Sequence, residues 1–220
     1  MEQHELYMSR CLQLAQQAEG HTAPNPMVGA VIVCDGVIIG EGYHHRCGEP
    51  HAEVNAIRSV NDQNLLMKST LYVNLEPCSH YGKTPPCAQL IIDKKIPRVV
   101  VGMGDPNPKV NGRGIQMLRE AGVEVVENVL NQQCQILNKR FVTLYTKKRP
   151  FVILKWAQTQ DGFIDAWRTT SEIPPLRISN EVTKTLNHQI RSIESAILVG
   201  TNTALLDNPR LTARKLNTRN

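Results

Sequence analysis

Four residues in two separate segments constrain the fold of this chain most, because three of them could hold one metal ion beside the fourth. His51 and Glu53 stand two residues apart, and Cys78 and Cys87 follow further along the chain. One imidazole and two thiols form a zinc ligand set that leaves one coordination position open, as is usual at catalytic sites. Glu53 would then lie beside the metal as a proton carrier. The chain must bring these segments together, and we expect a hydrolytic zinc enzyme.

Other histidines and cysteines near these four residues leave an alternative open. A structural zinc site would be closed by a fourth thiol or imidazole, and His80 is the obvious candidate, although we do not expect it to bind. We interpret His45 and Cys47 as loop residues, whereas His44 could face the site. The three remaining cysteines fall at apolar-periodic or strand positions, where we expect them to fill the core: Cys11, Cys34 and Cys134.

Composition bounds the class of protein. The chain has 220 residues, of which 41% are apolar and 20% are charged, as in a globular protein of one or two domains. No run approaches the ~20 apolar residues that a membrane-spanning helix needs, and the N-terminus is acidic where a signal peptide would be basic. We therefore expect a cytoplasmic protein. In that reducing compartment its six cysteines are better interpreted as metal ligands, where they cluster, than as a disulfide framework. The modest net charge of +5 does not favour a nucleic-acid partner, and we expect no membrane partner either.

Short apolar runs alternate with helical segments before residue 145. Residues 28–33 and 37–42 form a predicted β-hairpin that turns at Asp35 and Gly36. Further strands are expected over residues 70–75, 98–103 and 123–129, and helices over residues 4–19, 52–60, 87–95, 112–121 and 132–144. This alternation predicts an α/β layer sandwich with a largely parallel central section, in which sites lie at strand ends and helix starts.

The spacing of the metal motif resembles that of a known superfamily. His-x-Glu followed by Pro-Cys and a second cysteine is similar to the zinc deaminases, in which zinc activates water and the glutamate acts as general acid and base. Most nucleobase and nucleoside deaminases have Pro-Cys-x-x-Cys, whereas eight residues separate Cys78 from Cys87 here. Together with residues 24–29, 79–86 and 105–108, this longer insert resembles the bifunctional riboflavin-biosynthesis deaminase/reductase family.

This resemblance implies a fold, a reaction and a set of residues. The implied fold is a three-layer α/β/α sandwich of the cytidine-deaminase type with a mixed central sheet. The implied substrate is 2,5-diamino-6-ribosylamino-4(3H)-pyrimidinone 5′-phosphate, which loses its 2-amino group as ammonia. His51, Cys78 and Cys87 would hold zinc, and Glu53 would move protons from water to the ring nitrogen and the departing amine. The implied substrate-binding residues are Asn25, His44, Lys83, Thr84, Asp105 and Asn107.

The character of the sequence changes after residues 147–150. Residues 151–157 and 196–200 are predicted strands, and this part resembles the start of the same family's reductase domain, which has a dihydrofolate-reductase-like α/β fold. The implied ligand residues are Ala157, Thr203 and Asp207 for NADPH, and Arg191, Leu211 and Arg214 for the ribosyl phosphate. Residues 171–177 lack the expected Ser-x-Trp pattern, so no site is transferred to them.

Two domains are therefore expected, a deaminase at residues 1–146 and part of a reductase at residues 150–220. An unfinished sheet buries too little apolar area to be stable alone. We accordingly expect deamination with little or no reductase turnover, and self-association into a homo-oligomer. Two alternatives stay open: a tRNA or nucleoside deaminase on the same fold, and a non-catalytic interaction module that zinc stabilises.

Overall fold

The computed structural model describes residues 2–81, 85–108 and 110–214. The chain divides into two compact units, Met1–Phe151 and Val152–Asn220. Lys83 and Thr84, two of the implied substrate-binding residues, lie outside the described residues. None of the helices in the described ranges combines the length and the apolar character that crossing a bilayer requires.

A mixed sheet forms the centre of the first unit. Its strands are β1 (Gly29–Cys34), β2 (Val37–Tyr43), β3 (Thr70–Leu75), β4 (Arg98–Met103) and β5 (Glu124–Val126). They lie side by side in the order β2-β1-β3-β4-β5. β1 pairs antiparallel with β2 and with β3, whereas β3, β4 and β5 run parallel to one another. The predicted mixed sheet is confirmed, and the carboxyl ends of β3 and β4 meet at one edge.

The helices of the first unit form two groups. They are α1 (Glu2–Gln16), α2 (Ala52–Ser59), α3 (Cys87–Asp93), α4 (Arg113–Glu120), α5 (Asn131–Leu137) and α6 (Lys139–Lys147). α1, α2, α4 and α5 pack directly on the sheet. α1 contacts α5, while α2 and α4 both contact α3. A 3₁₀-helix, Gln63–Lys68, leads into β3. The predicted three-layer α/β/α sandwich is thereby confirmed.

The prediction of a single helix over residues 132–144 is wrong, because the helix is interrupted at Asn138, between α5 and α6. The Oδ1 atom of Asn138 accepts a hydrogen bond from the Met27 N–H at 2.8 Å, and its Nδ2 atom donates to the Met27 carbonyl at 2.9 Å. These bonds tie the helix break to the loop that carries Asn25. The strand predicted over residues 123–129 is also shorter, since only its first half joins the sheet as β5.

The core lies between the sheet and the helices, and it contains the three cysteines that were assigned to it. Cys11, Cys34 and Cys134 are all buried. β1 is buried along its whole length, because it pairs with a strand on each side. α1 approaches β1 closely at Gly29, where an added Cβ would lie 2.1 Å from the Cys11 carbonyl oxygen. Only a glycine fits between this strand and this helix.

Replacing Gly29 with alanine is expected to lower the free energy of unfolding by about 1–3 kcal/mol or more, because backbone atoms would have to separate. Urea denaturation of the two proteins measures the difference. Gly104→Ala is the matched control, since its added Cβ would meet its nearest atom only at 3.9 Å. Equal stability of the two alanine variants would contradict the close approach of α1 and β1.

The second unit has little regular structure in its described residues. It contains the helix α7 (Glu181–Ile193) and one turn of π-helix, Thr203–Asp207. The strands predicted over residues 151–157 and 196–200 are wrong, since no strand forms among residues 152–214. A strand must pair its backbone N–H and C=O groups with a neighbour, and this described part of the chain supplies none. Large apolar side chains are consequently exposed, among them Leu154, Trp167 and Leu198.

Candidate active site

The three predicted metal ligands meet where one strand ends and two helices begin. His51 directly precedes α2, Cys78 follows the end of β3, and Cys87 is the first residue of α3. The Nδ1 atom of His51 lies 3.6 Å from the Sγ atom of Cys78 and 3.3 Å from that of Cys87, and all three ligand atoms lie within 4.8 Å of one another. Tetrahedral zinc with bonds of ~2.0–2.3 Å needs ligand atoms roughly 3.3–3.8 Å apart. The donor types and their spacing therefore fit one zinc ion.

The ligands are linked to one another by hydrogen bonds that shift their pKa values. The bond shared with the Cys87 side chain, helped by one from His51, lowers the pKa of the Cys78 thiol to about 4. The same bond with Cys78 raises the pKa of Cys87, and the contact with Cys78 raises the pKa of His51 to about 9. The backbone N–H of Cys87 also donates to the Cys78 sulfur at 3.2 Å. A thiolate, the form that binds zinc, is thus favoured at Cys78 by the fold itself.

No fourth histidine, cysteine or carboxylate joins this cluster within the described ranges. His80 is exposed and lines the adjoining cavity, while His45 and Cys47 are exposed loop residues. A site with three protein ligands retains an open coordination position. The geometry therefore matches a catalytic zinc site better than a structural one.

Glu53 lies in the first turn of α2, two residues after His51, and its side chain is 3% exposed. It lines the same cavity as His51 and Cys78. Burial raises the pKa of the Glu53 carboxyl to about 7. A carboxyl group with such a pKa both gains and loses a proton near neutral pH, as a general acid and base must.

A cavity of about 350 Å³ adjoins the metal cluster and collects most of the predicted residues. The predicted residues that line it are Asn25, His44, His51, Glu53, Cys78, Asp105 and Asn107. They come from the loop before β1, the segment after β2, the start of α2, and the loops after β3 and β4. The fold thus gathers segments that are far apart in sequence around one small-molecule pocket.

Asn25 and His44 form an oriented pair in this cavity. The Nδ2 atom of Asn25 lies 3.2 Å from the Nε2 atom of His44, and the Nδ1 atom of His44 lies 3.1 Å from the Pro50 carbonyl oxygen. The carbonyl can only accept, so Nδ1 carries the proton and Nε2 accepts from the amide. Burial lowers the pKa of His44, which favours this neutral ring.

The loop that carries Asn25 is held by a second asparagine besides Asn138. Asn74, fully buried in β3, accepts a hydrogen bond from the Gly29 N–H at 2.8 Å and donates to the Met27 carbonyl at 3.1 Å. Because both asparagines bind the backbone of this loop, its position relative to the sheet is fixed. Sequence reasoning missed this role, although an asparagine within the mainly apolar strand β3 was a signal that could have indicated it.

Phe141 and Tyr145 of α6 also line the cavity, and sequence reasoning missed them. Their ring centroids lie 4.8 Å apart, one helical turn from each other. Phe141 and Leu144 share the apolar period of the helix predicted over residues 132–144, but Leu144 is 43% exposed whereas Phe141 lines the cavity. The aromatic pair therefore gives the cavity a wall against which a planar ring can pack.

Asp105 follows β4 and is buried at the edge of the cavity. Burial raises the pKa of its carboxyl to about 6, and the nearby Glu76 carboxylate adds to this rise. Its Oδ1 atom accepts a hydrogen bond from the Asn107 N–H at 2.8 Å, which opposes the rise. An acidic group is thus kept in the cavity although the folded protein disfavours its charge.

Asp105→Asn is expected to stabilise the protein at pH 8 but not near pH 4. A carboxyl whose pKa rises from ~3.9 unfolded to about 6 folded contributes stability below pH 4 that is lost as the pH rises through 6. The gain at pH 8 should be roughly 2–3 kcal/mol, and the asparagine Oδ1 can keep the bond from Asn107. Urea denaturation at the two pH values measures it; equal differences at both would contradict the shifted pKa.

The residues implied for the reductase are dispersed in the second unit. A cavity of about 330 Å³ is lined by Trp156, Ala157, Ile164, Leu176, Arg177, Ile178, Ser179 and Lys184. Of the six implied ligand residues, Ala157 alone lines it. Asp207 lies 2.8 Å from a guanidinium nitrogen of Arg168, and the Arg214 N–H donates to His188 at 3.1 Å. In the described part of this unit, the six residues do not come together in one cofactor site. Their roles in binding NADPH and the ribosyl phosphate stay predictions.

Two protein families match the sequence. The family described as the cytidine and deoxycytidylate deaminase zinc-binding region matches residues 1–103, and the RibD C-terminal domain matches residues 150–220. This chain belongs to the RibD family. The resemblance to the bifunctional riboflavin-biosynthesis proteins is thereby confirmed, and the second unit is the part that corresponds to the RibD C-terminal domain.

RibD proteins are similar to this chain along nearly its whole length. The riboflavin biosynthesis protein RibD of Aquifex aeolicus is 44% identical over 208 residues, which are 94% of this chain and 57% of that protein. RibD of Escherichia coli K12 is 42% identical over 218 residues, which are 96% of this chain and 56% of that protein. The chain therefore spans a little more than half the length of these curated relatives.

A solved structure shares the fold. The crystal structure of a diaminohydroxyphosphoribosylaminopyrimidine deaminase/5-amino-6-(5-phosphoribosylamino)uracil reductase from Thermotoga maritima has a TM-score of 0.87 and 45% sequence identity to this chain. The match covers 100% of this chain and 61% of that one.

Proposed function

We propose that this chain catalyses the hydrolytic deamination of 2,5-diamino-6-ribosylamino-4(3H)-pyrimidinone 5′-phosphate. One observation carries the proposal: the three ligand atoms of His51, Cys78 and Cys87 lie within 4.8 Å of one another beside the buried carboxyl of Glu53 and a small cavity. The solved Thermotoga maritima relative is named as a diaminohydroxyphosphoribosylaminopyrimidine deaminase and a 5-amino-6-(5-phosphoribosylamino)uracil reductase. This name supports the proposed substrate.

The residues around the cavity can move the protons that this reaction requires. Zinc held by His51, Cys78 and Cys87 would lower the pKa of a water molecule toward ~7. Glu53 would take one proton from that water and pass it to the ring nitrogen beside the reacting carbon. It would then take the second proton of the same water, from the hydroxyl group now on that carbon, and pass it to the departing amine. Water supplies the oxygen of the product, and the 2-amino group leaves as ammonia.

The remaining residues of the cavity orient the substrate. The Asn25 and His44 pair and the Asp105 and Asn107 loop offer hydrogen-bonding groups to the cavity, and Phe141 and Tyr145 offer an apolar wall. Lys83 and Thr84, in the insert between the cysteines, are proposed to bind the phosphorylated part of the substrate. A cation and a hydroxyl group suit a phosphate oxygen.

Ammonia release from the phosphorylated pyrimidine, with mass spectrometry of the product, tests this function directly. We expect turnover on the pyrimidine and none on cytidine or tRNA. Turnover on tRNA or cytidine instead would favour the editing or nucleoside deaminase, and no turnover on any of the three, with zinc bound, would favour the non-catalytic interaction module.

We propose that the deaminase domain is residues 1–146 and that residues 150–220 are part of a reductase domain. The match to the RibD C-terminal domain supports NADPH as the cofactor of that part, with Ala157, Thr203 and Asp207 as its ligands. The substrate ligands proposed there are Arg191, Leu211 and Arg214. Because its described residues form no strand, we expect NADPH oxidation by residues 1–220 to be far slower than deamination.

Two further proposals concern the setting of the enzyme. The use of two thiols as metal ligands suits a reducing compartment, and this supports a cytoplasmic location. The exposed apolar side chains of the second unit, such as Trp167 and Leu198, support self-association into a homo-oligomer.

A further inference from the structure

Glu76 is a buried glutamate that lies between β3 and the metal ligand Cys78, and its side chain is 3% exposed. Four backbone N–H groups converge on its carboxylate. The Oε2 atom accepts from Asp105 at 3.1 Å and from Gly112 at 2.9 Å. The Oε1 atom accepts from Gly114 at 2.9 Å and from Ile115 at 3.4 Å.

Three of these donors form the start of α4. Gly112 is the residue before this helix and has no side chain with which to bind the first N–H groups. The Glu76 carboxylate takes that place from the segment that directly follows β3, and its charge suits the positive end of the helix dipole. The contact is close, since a Cβ added to Gly114 would lie 2.0 Å from the Pro77 carbonyl oxygen.

The fourth donor, Asp105, lies at the other end of the loop between β4 and α4. This β4–α4 loop, residues 104–112, is described except for Lys109, and it carries Asp105 and Asn107 into the cavity. Both of its ends are therefore bound to one carboxylate. Glu76 also lies two residues before Cys78 in the sequence. The β4–α4 loop and this metal ligand are therefore both held next to the end of β3.

We infer that Glu76 is a positioning residue that fixes the β4–α4 loop relative to the metal ligand Cys78. Its oxygens are occupied by backbone donors, so it acts through the loop and does not carry protons to the substrate as Glu53 does. The inference rests on the proposed deaminase function in so far as Asp105 and Asn107 bind the pyrimidine.

Glu76→Gln tests this role, because an amide NH₂ would replace one acceptor oxygen and face two N–H donors. We expect KM for the pyrimidine to rise about tenfold or more, with kcat changed less than about threefold and with zinc content unchanged. Hydrogen–deuterium exchange should become faster by about tenfold or more at the described residues of 104–115, and not in β4.

Leu118→Ala is the matched control, because Leu118 is fully buried in the same helix, three residues beyond the last backbone N–H group that binds Glu76. It should lower thermal stability and leave KM unchanged. Should Glu76→Gln fail to fold, Glu76→Asp, which keeps the charge but shortens the side chain, is measured in the same way and should give a smaller rise in KM.

An unchanged KM in the Glu76 variant, or an equal rise in Leu118→Ala, would overturn the inference. If the wild-type chain does not deaminate the pyrimidine, the proposed function fails while the exchange rates still decide the role of Glu76. Faster exchange confined to the β4–α4 loop and the start of α4 would then support it, and unchanged exchange there would overturn it.

Discussion

Replacing Glu53 with glutamine should lower kcat for deamination by about 10²–10⁴-fold, the usual contribution of a general acid and base. Glutamine has nearly the same shape and stays buried at the start of α2, but it cannot accept a proton from water. Zinc content should remain at the wild-type value, because the ligand atoms belong to His51, Cys78 and Cys87. Steady-state ammonia release and metal analysis of the same preparation measure the two quantities.

Glu49→Gln is the control for this experiment, since Glu49 lies in the exposed loop before His51 and outside the cavity. It should retain wild-type kcat. Survival of pyrimidine deamination in the Glu53 variant would refute the proton-transfer role. Loss of zinc together with activity would instead make Glu53 a residue that maintains the metal site.

The central strands and the hairpin could be predicted because their signals are local. β3 and β4 are short apolar runs bounded by polar or proline residues, and they form as expected. Asp35 and Gly36 have φ angles of 50° and 78°, the positive values that a tight hairpin turn of this type needs. The break at Asn138 could not be predicted, since its partner Met27 is 111 residues away in the sequence.

The strands of the second unit show the limit of the same reasoning. Residues 151–157 have a strand-like composition. A β-strand forms only where an adjacent strand accepts and donates its backbone hydrogen bonds, and the local sequence does not say whether such a strand is present. Val152 and Leu154 are exposed as a result. Strand propensity alone therefore identified the segment without determining its structure.

The metal ligands could be proposed from sequence because their residue types are themselves the chemistry of the site. Two other residues that shape the cavity, Phe141 and Glu76, could not be proposed from the sequence. Phe141 belongs to a helix whose apolar period equally suits the core, and only the packing of α6 turns it toward the cavity. Glu76 has backbone N–H groups as its partners, and these leave no trace in the sequence.

Replacing Cys87 with serine should weaken zinc binding by more than about 100-fold. Loss of a hydrogen bond that merely orients a ligand costs 10–100-fold in metal affinity, and loss of a ligand atom should cost more. Serine preserves the size of this buried first residue of α3, but its hydroxyl group is a much poorer zinc ligand than a thiolate. Zinc content after dialysis against a competing chelator measures the effect, and deamination should be lost in parallel.

Two other cysteines serve as controls for that loss. Cys47→Ser removes an exposed thiol outside the cluster, and Cys134→Ser places a hydroxyl group in the core, where Cys134 is fully buried. Both should keep their zinc, although the second should lower the melting temperature. Added zinc should raise the melting temperature of the wild type and of both controls, because a ligand that binds only the folded state stabilises it. A similar zinc-dependent rise in Cys87→Ser would show that the metal is held without Cys87, and the three-ligand site would be wrong.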